Sequence, residues 1–219
     1  MKKLYDNPRL EAVTDISHAR LLALSIYLND TTTAAEKKKL LEQWEITTFR
    51  IFGMFRKDSR YKVGDYTRLA NRIVDKNEFN KTGKKPYKEI LEAIKELSEE
   101  YNVSQALKEM KGSDVYTDNQ TKLRYFLYRY EESLWDKAKP DQGLWVKIWN
   151  ASASKTIEHI FPQTPEGNWN GKLRKGVKTE KVVNRLGNLI LLPQDVNSIA
   201  KNKSFSDKKE IYKNYCFSI

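Results

Sequence analysis

Apolar positions recur at helical spacing through the first 140 or so residues. Leu10, Val13, Ile16, Leu21, Leu22, Leu24, Ile26 and Leu28 predict one helix with a broad apolar face, ended by Asn29-Asp30-Thr31. Thr33 and Glu36 have the spacing of a capping box, in which hydroxyl and carboxylate each satisfy a free backbone N–H. The helix they open carries Leu40, Leu41, Trp44, Ile46, Phe49, Ile51, Phe52 and Phe55, with Gly53 near its end. A basic turn from Arg56 to Lys62 follows. Asp65 is placed to cap a helix with Tyr66, Leu69, Ile73 and Val74 inward, and Asn77 to Lys85 reads as a polar loop. Pro86 sits as a first-turn proline ahead of Tyr87, Ile90, Leu91, Ile94 and Leu97. Ser104 is placed to cap a short helix through Met110, ended by Gly112. Thr117 or Asn119 opens the next, with Leu123, Phe126, Leu127, Tyr130 and Leu134 inward. Lys139-Pro140-Asp141-Gln142-Gly143 then breaks the pattern and marks the expected boundary between a helical region, 1–140, and a second part, 141–219.

Beyond the break the texture changes. Leu144 to Trp149 is short and β-prone, and Thr156 to Phe161 is a second strand candidate stopped by Pro162. A loop rich in Gly, Asn and Lys runs from Glu166 to Val177. Leu186 to Leu192 is a third β-prone run, stopped by Pro193. Asp195 to Tyr215 is helical in pattern, with a break near 202–206. The expected fold class is therefore mainly α with a small α+β part at the C-terminal end.

Composition narrows the chemistry. The 219 residues hold one Cys and two His, which excludes an internal disulfide framework, a multi-cysteine zinc site and a three-histidine catalytic zinc site. Aromatic residues make up 11%, against disorder. No run approaches the ~18 apolar residues that a bilayer span requires. The basic start MKKLYDNPRLEAV has no apolar stretch behind it, so a secretory signal is not expected, and a soluble, cytoplasmic protein is. Net charge is +11. Residues 151–219 carry 12 Lys+Arg against 6 Asp+Glu, and are the more basic part, as expected where a nucleic acid is met.

The chemistry-bearing stretch is Glu158-His159-Ile160-Phe161-Pro162-Gln163, then Arg185-Leu186-Gly187-Asn188-Leu189-Ile190-Leu191-Leu192-Pro193, then Asn197 and Lys203. It offers an acid and an imidazole at a strand end, an Asn at the start of a second β run, and an Asn early in a helix. Carboxylate and amide oxygens are hard ligands suited to Mg²⁺, which keeps several waters and takes up a substrate phosphate. A neutral imidazole can accept the proton of an attacking water. One histidine and one divalent ion then suffice for phosphodiester hydrolysis.

This order of motifs, with S-F-x-x-K-K downstream, resembles the C-terminal nuclease domain of GmrSD-type restriction endonucleases, which act on modified DNA and belong to the HNH, or His-Me finger, nucleases. The likeness is strongest over 155–213. It implies a ββα-metal finger in which His159 is the general base, Glu158 and Asn197 hold one Mg²⁺ or Mn²⁺ per finger, and Asn188 braces the loop that orients the histidine. Lys201, Lys203 and Lys208 would contact phosphate, and Arg185 the scissile or adjacent phosphate. Glu158 stands where many such fingers carry Asp, and Asn202 is an alternative ligand if the helix starts late. By the same resemblance the product ends are 5′-phosphate and 3′-hydroxyl. A nucleotide-dependent sensor domain or subunit is the expected partner, because no phosphate-binding glycine loop occurs in the chain.

Each feature also has a plainer reading. Adjacent strand residues face opposite sides, so Glu158 and His159 reach one site only with a twist or bulge. Asn188 suits a turn and Asn197 a helix cap. Lys172 and Lys175, with their basic neighbours, form either a solvated loop or a clamp on the DNA backbone, and Trp169 either meets a base or packs on the finger. His18 is expected to be partly exposed or capping. The alternative to an endonuclease is a basic module that binds DNA or docks a partner without cutting.

Overall fold

The apolar stripe over residues 10–28 folds as two helices, α1 (Glu11–Thr14) and α2 (Ser17–Leu28). The Thr14 hydroxyl bonds back to the Leu10 carbonyl at 3.0 Å, and Ile16 turns extended, at φ −90° and ψ 107°, which ends one helix and starts the other. The computed structural model describes residues 10–75, 78–80, 85–112, 114–134 and 142–216. The N-terminal nine residues, most of the loop expected between 77 and 85, and 139–141 of the expected boundary lie outside them. The chain packs as two units divided between Leu107 and Lys108, upstream of the break that the sequence suggests near residue 140.

The first unit is helical. α3 (Ala34–Thr48) opens on the predicted capping box. Thr33 Oγ1 accepts from the Glu36 N–H at 3.3 Å, and Glu36 Oε2 accepts from the Thr33 N–H at 2.8 Å. It runs on into a π-helical turn, Phe49–Met54, where a side chain at Gly53 would collide with the Phe49 ring. Lys62, left-handed at φ 55°, is the N-cap of α4 (Val63–Val74), so Asp65 lies inside the first turn and not at the cap. Pro86 opens α5 (Pro86–Glu96) as predicted. Leu22, Ile26, Leu40, Trp44, Ile51, Phe52, Tyr66, Ile73, Ile90 and Ile94 are fully buried. Each aliphatic one contributes about 1.5–3 kcal/mol by leaving water. Val74, expected inward, is exposed, and so is Ile46.

In the second unit, α6 (Val103–Gly112) starts across the division, and Asn102, not Ser104, accepts from the Gln105 N–H at 3.2 Å. α7 (Val115–Asp118) leads to α8 (Gln120–Leu134), whose first turn is capped by Asn119. The run Leu144–Trp149, β-prone by composition, is helical, as α9 (Gln142–Asn150). Packing decides this. Trp145 and Ile148 fall three apart on one buried face, Tyr128 meets Trp145 and Trp149 edge-on, and buried Arg124 donates to the Ile148 and Ala151 carbonyls at the helix end.

After α10 (Ala153–Thr156) come β1 (Ile157–His159) and β2 (Leu189–Leu191), paired antiparallel with Ile157 opposite Leu191 and His159 opposite Leu189. Two helices follow, α11 (Gln194–Ala200) and α12 (Phe205–Tyr212), with the predicted break between them. Ile190, Leu192, Val196, Ala200, Tyr212 and Cys216 form the core that holds sheet to helices. The order strand, strand, helix brings the end of β1 beside the start of α11. Among the described residues no helix is long and apolar enough to cross a membrane.

Candidate active site

β1 is only three residues long and His159 is its last, so a chain that leaves the sheet at once gives the histidine an edge position. The ladder is regular through Glu158 and His159, and alternation is kept without the bulge that the sequence reading invoked. The two side chains part accordingly. Glu158 turns to α12, and His159 turns to the segment ahead of β2. Both nevertheless border one cleft of about 300 Å³ at the strand end, together with Tyr116, Ser154, Asn197, Lys201 and Asn202.

Asn188 braces the loop after His159. Its amide N–H₂ donates to the Phe161 and Val183 carbonyls, at 2.9 and 2.8 Å, its side-chain oxygen accepts from the Phe161 N–H at 2.7 Å, and its own carbonyl accepts from the Ile160 N–H at 2.9 Å. An asparagine with three side-chain bonds in a buried place is not exchangeable with another residue type at small loss. Its bonds tie the turn after His159 to the segment ahead of β2.

Asn197 lies one turn into α11, which starts at Gln194, so the late start that would favour Asn202 does not occur. Its N–H₂ donates back to the Lys155 and Ile157 carbonyls, at 2.9 and 3.3 Å. Those bonds fix the amide and leave its oxygen as the group not used in them. Asn202 follows the helix end and also lines the cleft.

Lys208 is where the structure departs most from the sequence reading. Expected at the phosphate, it is instead fully buried, with relative exposure 0%. Its ammonium donates to Glu158 Oε1 at 2.7 Å and to the carbonyls of His159 and Ile160 at 2.8 and 3.1 Å. All three donors are used inside the protein, so none is left for a substrate. Tyr212 adds a bond to the same Glu158 oxygen at 2.9 Å. Burial pushes the Glu158 carboxyl above its ordinary value, against the pull of Lys208 and Tyr212. Burial likewise pulls the Lys208 ammonium below its own, against Glu158.

The His159 ring stands edge-on to Tyr116, with centroids 4.6 Å apart, and its Nε2 is 3.0 Å from Asn184 Oδ1. Asn184 in turn donates to Asp114 Oδ2 at 2.9 Å. Burial lowers the imidazole below its usual value; Asn184 and Asp114 work in the other direction, and Lys208 adds to the lowering. The ring is thus neutral at neutral pH, the state a proton acceptor needs. Asp114 lies below the usual carboxylate range, where burial works to raise it but bonds from Asn184 and Thr117 outweigh that.

Of the remaining predicted residues, Lys201 lines the cleft from a strained backbone, at φ 28°. Lys172, Lys175, Arg185 and Lys203 are exposed and are not among the residues lining it. Trp169 is buried against Phe161, and its indole N–H donates to the Lys203 carbonyl at 2.8 Å, so it packs on the fold and does not present a face to a base. Sequence reasoning missed Asn184, Asp114, Tyr116 and Tyr212. Asn184 carried a faint signal, a polar residue just after Val182-Val183 and before Arg185. Asp114 carried none, since it meets Asn184 across 70 positions of sequence.

With this geometry in view, the comparison with protein families is decisive. The family described as GmrSD restriction endonucleases, C-terminal domain, matches residues 101–219, more than half of the chain. The chain belongs to that family. No curated protein and no solved structure matches it. The GmrSD C-terminal match begins at residue 101, so it takes in α6 to α9 as well as the two strands, and it includes every residue of the cleft.

Proposed function

We propose that this GmrSD-family chain is a metal-dependent DNA endonuclease of the HNH, or His-Me finger, kind, the cutting component of a defence system directed at modified or foreign DNA. The observation that carries the reading is the convergence of His159, Glu158 and Asn197 on one cleft, in the order strand, strand, helix. The basic surface supports a polyanionic substrate. Lys201 at the cleft edge, with Lys172, Lys175, Arg185 and Lys203 on exposed surface, are the residues proposed to meet the DNA backbone.

The donor set suits a hard divalent cation. Glu158 supplies a carboxylate and Asn197 an amide oxygen that its own hydrogen bonds leave unused. The described residues contain no group of three or more His, Cys, Asp or Glu that would enclose a metal in protein ligands. Two oxygens match Mg²⁺ or Mn²⁺, which keep waters and take further oxygens from a phosphate. The chemistry such an ion supplies when bound is neutralisation of charge on the scissile phosphate and leaving oxygen.

The protein's own groups do the rest. His159 accepts a proton from water as the water oxygen bonds to phosphorus. The bond from phosphorus to the 3′ oxygen breaks, and that oxygen takes a proton from solvent, leaving 5′-phosphate and 3′-hydroxyl ends. Asn188 and Lys208 hold the backbone after His159 from two sides, which keeps the imidazole in place without touching substrate.

Plasmid cleavage tests this. The parent with Mg²⁺ or Mn²⁺, supplied with a nucleotide-dependent sensor partner where one is needed, is expected to nick or linearise DNA, and EDTA to stop it. His159→Ala is expected to lose about 10²–10⁴-fold in rate. If His159→Ala cuts as fast as the parent, the mechanism is wrong. DNA binding without cleavage under all these conditions would point to the non-cutting module.

A further inference from the structure

We propose that Asn184, its amide oriented by Asp114, is a positioning residue that holds the His159 ring in the form protonated at Nε2 and so leaves Nδ1 as the proton-accepting nitrogen. The proposal rests on the reading of His159 as the base and adds which nitrogen serves and what selects it.

An ionised carboxylate only accepts hydrogen bonds. Asp114 Oδ2 lies 2.9 Å from Asn184 Nδ2, and Thr117 Oγ1 lies 3.4 Å from the same nitrogen. Turning the amide over would set its oxygen against the carboxylate, so Asp114 selects the sense in which the amide points. Asp114 is itself held, since its Oδ1 accepts from the Thr117 N–H at 2.9 Å as the N-cap of α7. The amide oxygen is thereby committed to His159 Nε2, 3.0 Å away. An amide oxygen cannot donate, so Nε2 must. A neutral ring that donates from Nε2 keeps its lone pair on Nδ1. His159 lines the cleft and Asn184 is not among its lining residues, so the group that ties down Nε2 belongs to the surrounding fold and not to the cleft lining. Asp114 is exposed and Asn184 half-buried, so water competes for the outer bond and the inner one dominates.

NMR of the full chain with nitrogen-labelled histidine reads the tautomer directly. Only His18 and His159 contribute, and His159→Ala assigns them. At a pH where the ring is neutral, the parent is expected to show His159 protonated at Nε2 and bare at Nδ1. Asn184→Ala is expected to give a mixture of both forms, and Asn184→Asp made together with Asp114→Asn, which keeps an acceptor at His159 and puts a donor behind it, to restore the Nε2–H form. Asp114→Ala is expected to shift the balance less. In cleavage, Asn184→Ala should lower kcat about 10–100-fold with KM for DNA little changed. A parent protonated at Nδ1, or an Asn184→Ala protein with the parent's tautomer, overturns the proposal. If Asn184→Ala does not fold, the parent tautomer and the Asn184→Asp, Asp114→Asn pair decide. If His159→Ala still cuts, the base assignment fails, while the tautomer result stands separately.

Discussion

The two histidines occupy two kinds of interior. In the first unit, His18 is buried among rings, edge-on to Phe52 and Tyr66 at 5.5 and 5.0 Å, and its Nε2 has no hydrogen-bond partner among the described residues. In the second unit, His159 is equally buried, but its Nε2 meets Asn184, and around it a buried Lys, Glu and Tyr are joined by hydrogen bonds. The first interior stabilises by excluding water from apolar surface. The second holds ionisable groups where burial alone would push each towards neutrality, and satisfies them with one another. A histidine in the first is part of the packing. In the second it is a poised group at the edge of a cleft.

The sharpest way to break this contrast is to remove each imidazole. His18→Leu is expected to leave DNA cleavage within a few-fold of the parent, while the loss in His159→Ala reaches orders of magnitude, read on the same plasmid assay. Equal losses would erase the distinction.

Next in size is the buried ion pair. Lys208→Met leaves the buried Glu158 carboxylate without its cation, and a loss of about 3–5 kcal/mol of stability is expected from urea unfolding. Lys208→Met with Glu158→Gln should recover part of it. If the single change is nearly silent, Lys208 is not the support described.

A smaller effect separates the histidines by pH. Burial holds the His18 imidazole below its ordinary value, with a bond at the Tyr61 backbone acting the other way. The folded chain therefore binds a proton at this site less readily than the unfolded chain. Its contribution to stability is present above the unfolded value, near 6.5, and is lost as pH falls through the lower folded value. His159 shifts in the same direction, so melts of the parent should fall below neutral pH and those of His18→Leu should fall less. A slope unchanged in His18→Leu would show that His18 contributes nothing to it.

The smallest expected effects lie on the surface. Lys172→Ala and Lys175→Ala should each weaken DNA binding uniformly across sequences and reduce the slope of log affinity against log salt by about 1. No change in slope would mean that the loop is simply solvated.

Local chemistry explains which parts of the fold were legible in the sequence. Thr33 and Glu36 act within one turn, Pro86 fixes its own φ, and the second strand and the broken final helix are set by nearby residues, so their pattern could be read directly. Leu144–Trp149 could not, because its conformation depends on Arg124 and Tyr128, distant in sequence. At the site, the motif residues were visible as types at spacings, whereas the carbonyls that the Asn188 amide bonds, at Phe161 and Val183, are set by how the turn folds. Lys208 was misread because a lysine in a basic tail looks solvated until its three acceptors are seen.

The sequence alone determined a mainly helical chain with a short β part near its end, a single histidine in a motif, and an excess of positive charge around that motif. These depend on periodicity, capping and composition, which act within a few residues. Only the tertiary structure decided which lysine is buried, which oxygen of Glu158 is tied up, how the Asn197 amide is turned, and that Asp114 and Asn184 stand behind His159. Those outcomes depend on groups far apart in sequence competing for the same few donors and acceptors, and that competition is settled by packing.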